Sequence, residues 1–307
     1  GGAGPGVPTL SPHKHPPKKT PYPPRPRLGK EGFTGPRRAS GSGSKRKRMN
    51  LPKTSAAAAS KSINIYISSH LQHMSGDYPS HRWIFCGPAA NSKPSELTDI
   101  PERYERLENR RWSELSAAYK LWKEGPQTDI VGMCHYRRLF CFNKPSTDLL
   151  IQIRRTDLHR AMNIDVHSIL SSMVGQRTIV APLFFKLSTP IALHYARMHD
   201  WQDYVRGMAA CIRLFPHLAP FIAAQLFQRK LYPFNIFIMN WNDSDELCHV
   251  WFDTLIDLSK KTNWPREDPY QDRDMAYLAE RLTDAWLRYK RAQGYRIVQL
   301  PLFFVSD

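Results

Sequence analysis

The first sustained apolar run along the chain is INIYISS (63–69), a β-branched stretch that predicts a strand ending at His70. WIFCG (83–87) predicts a second short strand. In NRRWSELSAAYKLWKE (109–124), Trp112, Leu115, Tyr119 and Trp122 recur at helical spacing, and Gly125-Pro126 stops the helix. DIVGMCHY (129–136) predicts a strand, VHSILSSM (166–173) a helix and TIVAP (178–182) another strand. Residues 189–230 read as mostly helical, broken near Pro216 and Pro220, and YPFNIFIMN (232–240) reads as a strand. Amphipathic helices are predicted over 244–261 and 273–290, and YRIVQLPLFF (295–304) as a closing strand. Strands alternating with helices imply an α/β fold: a mainly parallel sheet with flanking helices on both faces.

No such pattern occurs in residues 1–62, which hold 11 of the 25 prolines. A segment of this composition cannot bury enough apolar area to offset its ordering entropy. The expected organisation is therefore a disordered tail, 1–62, followed by an α/β domain, 63–307. The tail also changes the reading of charge. It carries 14 Lys and Arg against one acid, Glu31, so +13 of the total of +17 lies there and +4 remains for the body. KRKR (45–48) fits a polyanion-binding or nuclear-import patch and equally a solvated linker. A nucleic-acid-binding protein acting through the tail is thus an alternative. The body carries no nucleic-acid-binding signature, so nucleic acid is not the favoured partner.

The five cysteines form no CxxC pair, which argues against a disulfide framework or a cysteine-rich zinc site and for a reducing compartment. No apolar run approaches the ~18–20 residues of a membrane span, and no signal peptide is recognised. The expected location is cytoplasmic.

In α/β folds, ligands sit beyond the carboxyl ends of strands. VGMCHYRRLF (131–140) puts His135, Tyr136, Arg137 and Arg138 at such an end. A continuing strand would send Arg137 and Arg138 to opposite faces, whereas a turn would let both enter one cleft. Two guanidinium forks beside an imidazole suit a diphosphate; structural ion pairs are the plain alternative. Further polar residues interrupt apolar surroundings. Glu114 lies in the Trp112 helix, and Asn109 near its start is a helix cap or a ligand. Asn235 is a satisfied amide or a donor to a sugar hydroxyl. Tyr195 and His199 are one helical turn apart, and His199 is structural or a general base. Glu280 and Arg281 interrupt YLAERL, where an ion pair is the plain account. GxGxxG, Walker, GxSxG and HExxH motifs are all missing. QDRDM (271–275) holds a DxD-shaped pair, Asp272 and Asp274, at a predicted helix start, where the dipole favours acids anyway.

These residues together resemble a bacterial polysaccharide-cluster family, first catalogued as a domain of unknown function and later grouped with glycosyltransferases. Some of its members are assigned galactofuranosyl transfer. The resemblance rests on Asn109, WSELSAAY (112–119), Trp122, GMCHYRRLF (132–140), the Tyr195-x-x-x-His199 element, NIFIM (235–239) and AERL (279–282), and spans roughly 63–304. Ser113, Leu139 and the Leu after His70 depart from it.

The resemblance implies a GT-A-like, Rossmann-type domain. It implies a glycosyltransferase moving a hexosyl group from a nucleotide-sugar, UDP-galactofuranose being the named candidate, to a glycan or lipid-linked saccharide in surface polysaccharide or capsule synthesis. It also implies work at the inner membrane face, with peripheral membrane contact. Donor binding falls to His135, Tyr136, Arg137, Arg138, Asn109 and His70. Catalysis falls to Glu280, His199 and Glu114, and acceptor binding to Asn235, Tyr195 and Arg281. No cofactor is expected, because the arginines would do at the departing diphosphate what a divalent cation does elsewhere. The alternative is a manganese or magnesium ion on Asp272, Asp274 or Glu114. A saccharide- or nucleotide-binding module that has lost the chemistry is a further alternative.

Overall fold

The computed structural model of the chain describes residues 61–71, 78–87, 109–268 and 270–306. The tail expected over 1–62 lies outside the described residues, apart from Lys61 and Ser62.

The chain runs through β1 (Ile63–Ser69), β2 (His81–Phe85), α1 (Asn109–Trp112), α2 (Glu114–Glu124), β3 (Ile130–His135), β4 (Arg138–Phe140) and β5 (Leu150–Arg154). It continues with α3 (Arg155–Met162), α4 (Val166–Met173), β6 (Thr178–Pro182), β7 (Phe185–Lys186), α5 (Ile191–Met198), α6 (Trp201–Leu214) and α7 (Ala219–Ala224). The last elements are β8 (Lys230–Leu231), β9 (Phe237–Asn240), α8 (Trp241–Ser259), α9 (Asp274–Ala292), β10 (Arg296–Leu300) and β11 (Leu302–Ser306).

Among the described residues nine strands form one sheet, ordered β10-β6-β9-β3-β4-β11-β5, with β1 on β3 and β2 on β1. Its longest pairings are parallel: β1 with β2 and β3, β6 with β10, and β5 with β11. Shorter antiparallel pairings join β9 to β3 and β6, and β4 to β3 and β11. This is the expected α/β sheet with flanking helices. Residue parity divides its two faces. Val131 and Met133 of β3 pack with Leu115, Trp251 and Leu282 from the layer of α2, α8 and α9. Ile130 and Cys134 pack with Leu158, Val166 and Leu170 from α3 and α4. Gly132 is the thin point: a Cβ there would lie 2.9 Å from Ile238 Cγ1.

Local departures from the expected elements have identifiable causes. The helix over 109–124 is two helices, joined at Ser113 with φ 48°. Asn109 Nδ2 donates to Ser113 O at 2.8 Å and to Ser116 Oγ at 3.1 Å, bracing the break. The strand over 232–240 shortens to β9, because Phe234 and Asn235 take φ 75° and 52°, left-handed values that cannot continue a strand. The closing strand is two strands, β10 and β11, separated by Pro301, which has no N–H to donate to a ladder. Pro216 opens a short 3-10 turn, whereas Pro220 sits in the first turn of α7, where proline is tolerated. β4, β5, α3 and the short pair β7 and β8 are additional to the predicted elements.

Candidate active site

β1 occupies one edge of β3 along its whole length, Ser68 standing opposite His135. On the other edge β9 pairs only as far as Met133, because its chain turns away at Asn235. The vacated edge is taken by β4, with Arg138 directly opposite His135. HYRR is therefore a tight hairpin: Tyr136 and Arg137 form the two-residue connection, and His135 and Arg138 face the same side of the sheet. The parity of β3 makes that side the one covered by α2 and α9.

Glu114 and Glu280 act on Arg138 there, and Asn235 joins through Glu114. Glu114, first residue of α2, has Oε1 3.8 Å from His135 Nε2 and accepts from Asn235 Nδ2 at 2.8 Å. Asn235 also donates to Ala276 O at 3.2 Å, and its Oδ1 accepts from Thr283 Oγ1 at 2.9 Å. The left-handed turn before β9 is thus locked to α9. Glu280 accepts from Phe234 N at 3.3 Å and from Arg281 Nη1 at 2.9 Å. Arg138 lies over the Phe234 ring at 4.4 Å, and its buried Nε–H reaches no acceptor. The buried His135 Nε2 is likewise unpartnered.

The electrostatics are those of a buried, mixed-charge site. Burial pushes the Glu114 carboxyl up to about 7, Glu280 adding to the effect and Asn235 and Arg138 opposing it. Burial also raises Glu280, against the pull of Arg281 and Arg138. His135 is driven down to about 3 by burial and then by Arg138 and Arg273, so its ring is neutral at physiological pH.

His70 belongs to the same end of the sheet. Its ring meets Tyr136 edge-on at 5.1 Å, and burial, Arg273 and Arg137 lower its pKa. Arg137 lies 5.4 Å from the Tyr136 ring. The structure thus brings His70, His135, Tyr136, Arg137, Arg138, Glu114, Glu280 and Asn235 together. Arg281 joins through Glu280, and Tyr195 lies fully buried beneath it, the guanidinium 5.1 Å from the ring. His199 sits further back: Nδ1 meets Gln271 Oε1 at 3.1 Å, the ring stacks on Tyr277 at 4.0 Å, and burial drives its pKa to about 3. Asn109 is engaged internally with Cys86, Ser113 and Ser116.

Sequence reasoning passed over Arg273. It is exposed, belongs to the 3-10 turn Gln271–Arg273, and acts electrostatically on both His70 and His135. It is the middle residue of the DxD-shaped triplet, where the acids drew attention instead. Those acids are engaged by arginines: Asp272 by Arg110 and by the backbone N–H of Arg266, Asp274 by Arg111 and the Arg266 side chain. Both carboxylates are buried while Arg273 points outward. Among the described residues, no three His, Cys, Asp or Glu side chains are grouped so as to hold a metal ion.

A family model described as "Domain of unknown function (DUF4422)" matches residues 64–291. A comparison with curated proteins finds no match. Among solved structures, the apo structure of WbbM, titled a bifunctional glycosyltransferase, is similar in fold, with a TM-score of 0.68 at 21% identity. The likeness covers 80% of this chain and 46% of that one, so this chain spans less than half the length of WbbM.

Proposed function

The chain belongs to the DUF4422 family, and on that premise we propose that it is a glycosyltransferase using a nucleotide-sugar donor. The observation that carries this reading is the HYRR hairpin: Arg138, with an unpartnered buried Nε–H, stands opposite neutral His135 and faces two carboxyls of raised pKa. Similarity of fold to WbbM supports it.

Arg137, Arg138 and Arg273 bind the donor diphosphate and neutralise the charge that develops as it departs. Their forks replace a divalent cation, so no metal is required in this reading. Neutral His135 and His70 donate or accept hydrogen bonds at the same end without adding charge. Glu114 takes the acceptor hydroxyl's proton, because a carboxyl with a pKa of about 7 is matched to proton transfer at neutral pH. Glu280, held by Arg281 and Phe234 N, positions the acceptor side with Asn235. His199 is a weaker candidate base, since a ring titrating at about 3 has little affinity for a proton at neutral pH. Galactofuranose as the sugar, and a glycan or lipid-linked saccharide in polysaccharide synthesis as the acceptor, rest on the family resemblance.

The test is a thermal-shift panel with UDP, GDP, CMP and UDP-sugars, each with EDTA and with manganese. A ligand at a hundred times its Kd adds about 2.7 kcal/mol of stability. The expected result is a rise with one nucleotide class, unchanged by EDTA and lost in Arg138→Met. A rise that needs manganese would refute the metal-free diphosphate site. No rise with any nucleotide would favour the non-catalytic module.

A further inference from the structure

Eight large apolar side chains are exposed among the described residues, and all fall between Phe185 and Phe227. Elsewhere in the described body, large apolar residues are buried or half-buried, so this region is distinctive. Phe227, just beyond α7, is the extreme case at 81% exposure. In α6 the exposed apolar residues keep helical register. At 100° per residue, Trp201, Val205, Ala209 and Ile212 form one outward stripe, while Asp203, Tyr204, Gly207, Met208 and Cys211 face inward. Beside the apolar stripe lies a polar one: Gln202, Arg206 and Arg213, all exposed. α5 repeats the arrangement with Leu193 and Arg197 outward and Ile191, Ala192 and Tyr195 inward.

Charge selects the occupant. Residues 185–231 contain Lys186, Arg197, Arg206, Arg213, Arg229 and Lys230 against two acids. Those acids, Asp200 and Asp203, are engaged by Arg266. The exposed apolar stripe therefore has a cationic border. A second copy docking by a two-fold contact would bring the same cationic border to both sides of the contact. Aromatic and aliphatic side chains beside exposed arginines, of which Arg206 meets Gln202 and Arg213 also faces Asp257, match the interface of an anionic bilayer.

We propose that α5, α6 and the Leu226–Phe227 corner form a membrane-docking surface that lies on anionic lipid, with Trp201 and Phe227 entering the headgroup boundary and Arg206 and Arg213 meeting lipid phosphates. The surface adjoins the candidate site: His194 of α5 lies 3.4 Å from Arg281, which in turn binds Glu280. Docking through the outer side of α5 and α6 would set the acceptor side of that site beside the bilayer. The docking inference stands on exposure and charge and does not depend on the transfer reaction.

The experiment is sedimentation of the whole chain with phosphatidylcholine vesicles, with and without phosphatidylglycerol. The basic tail would itself bind anionic vesicles, so variants that all keep the tail are compared. Trp201→Ser with Phe227→Ser should lower partitioning onto the anionic vesicles by about tenfold or more. Arg206→Gln with Arg213→Gln should lower it on anionic vesicles and leave neutral vesicles unaffected. Phe227→Ser alone, at so exposed a position, tests the idea if the double variant fails to fold. Unchanged partitioning in either set overturns the proposal. So does a wild-type dimer in sedimentation velocity that Trp201→Ser with Phe227→Ser converts to monomer, which would give the surface to a second copy. A thermal-shift response to nucleotide that survives in every vesicle-defective variant would keep the two functional readings separate.

Discussion

Two clusters of arginines and carboxylates lie near the start of α9, and they are built on opposite plans. In the first, Arg110, Arg111 and Arg266 meet Asp272, Asp274 and Asp203, and every member has an ionic partner. Arg111 is nearly buried, its Nε and Nη2 spanning both oxygens of Asp274 at 3.0 and 2.9 Å. In the second, Arg138 leaves a buried N–H unused, His135 is neutral, and Glu114 is at the threshold of ionisation. The first cluster is closed, tying the helix that bears it to α1 and to the segment around Arg266. The second is open, and its unmet charge and hydrogen-bonding capacity is what a diphosphate and a reacting hydroxyl would complete. Charge density alone does not separate the two clusters, nor does an unused N–H, since Arg266 Nε also lacks an acceptor; the ion pairing of the carboxylates does.

The comparison can be broken most forcefully at Arg111. Arg111→Ala removes the two-pronged partner of buried Asp274, leaving it Arg266 at 3.5 Å, and should cost about 3 kcal/mol, read as a fall in Tm on the order of 10 °C. A loss of activity without loss of stability would move the closed cluster into the functional class. Next comes Glu114→Gln, which keeps an acceptor for Asn235 and should lower turnover by at least ~100-fold with the fold intact. Unchanged turnover would transfer the base role to Glu280. Arg138→Met and Arg273→Ala should each weaken nucleotide binding by about tenfold or more and leave Tm without ligand nearly unchanged, as expected if neither belongs to the closed network.

The pH dependence of stability separates the two histidine- and glutamate-bearing positions of the open cluster. Glu114 has a folded pKa of about 7, above its ordinary 4.5, so the folded protein holds a proton that the unfolded chain releases. Its contribution is therefore full at acid pH and lost as pH rises through the window from about 4.5 to about 7. Glu114→Gln should match wild type near pH ~4.5 and exceed it by up to about 3 kcal/mol at pH ~8 in urea titrations. His135 runs the other way: with a folded pKa of about 3, below its ordinary 6.5, its contribution is full above 6.5 and lost as pH falls toward 3. His135→Gln should flatten the acid limb.

How far the molecule was legible differs by element. INIYISS, VHSILSSM and TIVAP coincide with β1, α4 and β6 residue for residue, because each is a short apolar run with a single consistent period. The gathering of His135, Tyr136, Arg137 and Arg138 at a strand end was legible for the same reason. The shortening of the 232–240 run was not. Its composition favours a strand throughout, yet Asn235 is bound by Glu114, Ala276 and Thr283, residues up to 121 positions away, and these contacts hold a left-handed turn. β4 was hidden because a three-residue strand carries no period of its own. Arg273 was hidden because the residues around it looked like the chemistry.

Local pattern determined the alternation of strands and helices, the apolar core and the placing of a basic cluster where a strand ends. Those depend on side-chain period and on polarity, both carried by neighbours in the chain. Tertiary structure decided which arginines are satisfied and which are not, that His135 is neutral, and that Glu114 titrates near pH 7. It also decided that the exposed apolar stripe of α6 lies on the opposite side of that helix from the core. Burial and long-range pairing set those properties, and no stretch of sequence carries its own dielectric or its own partner.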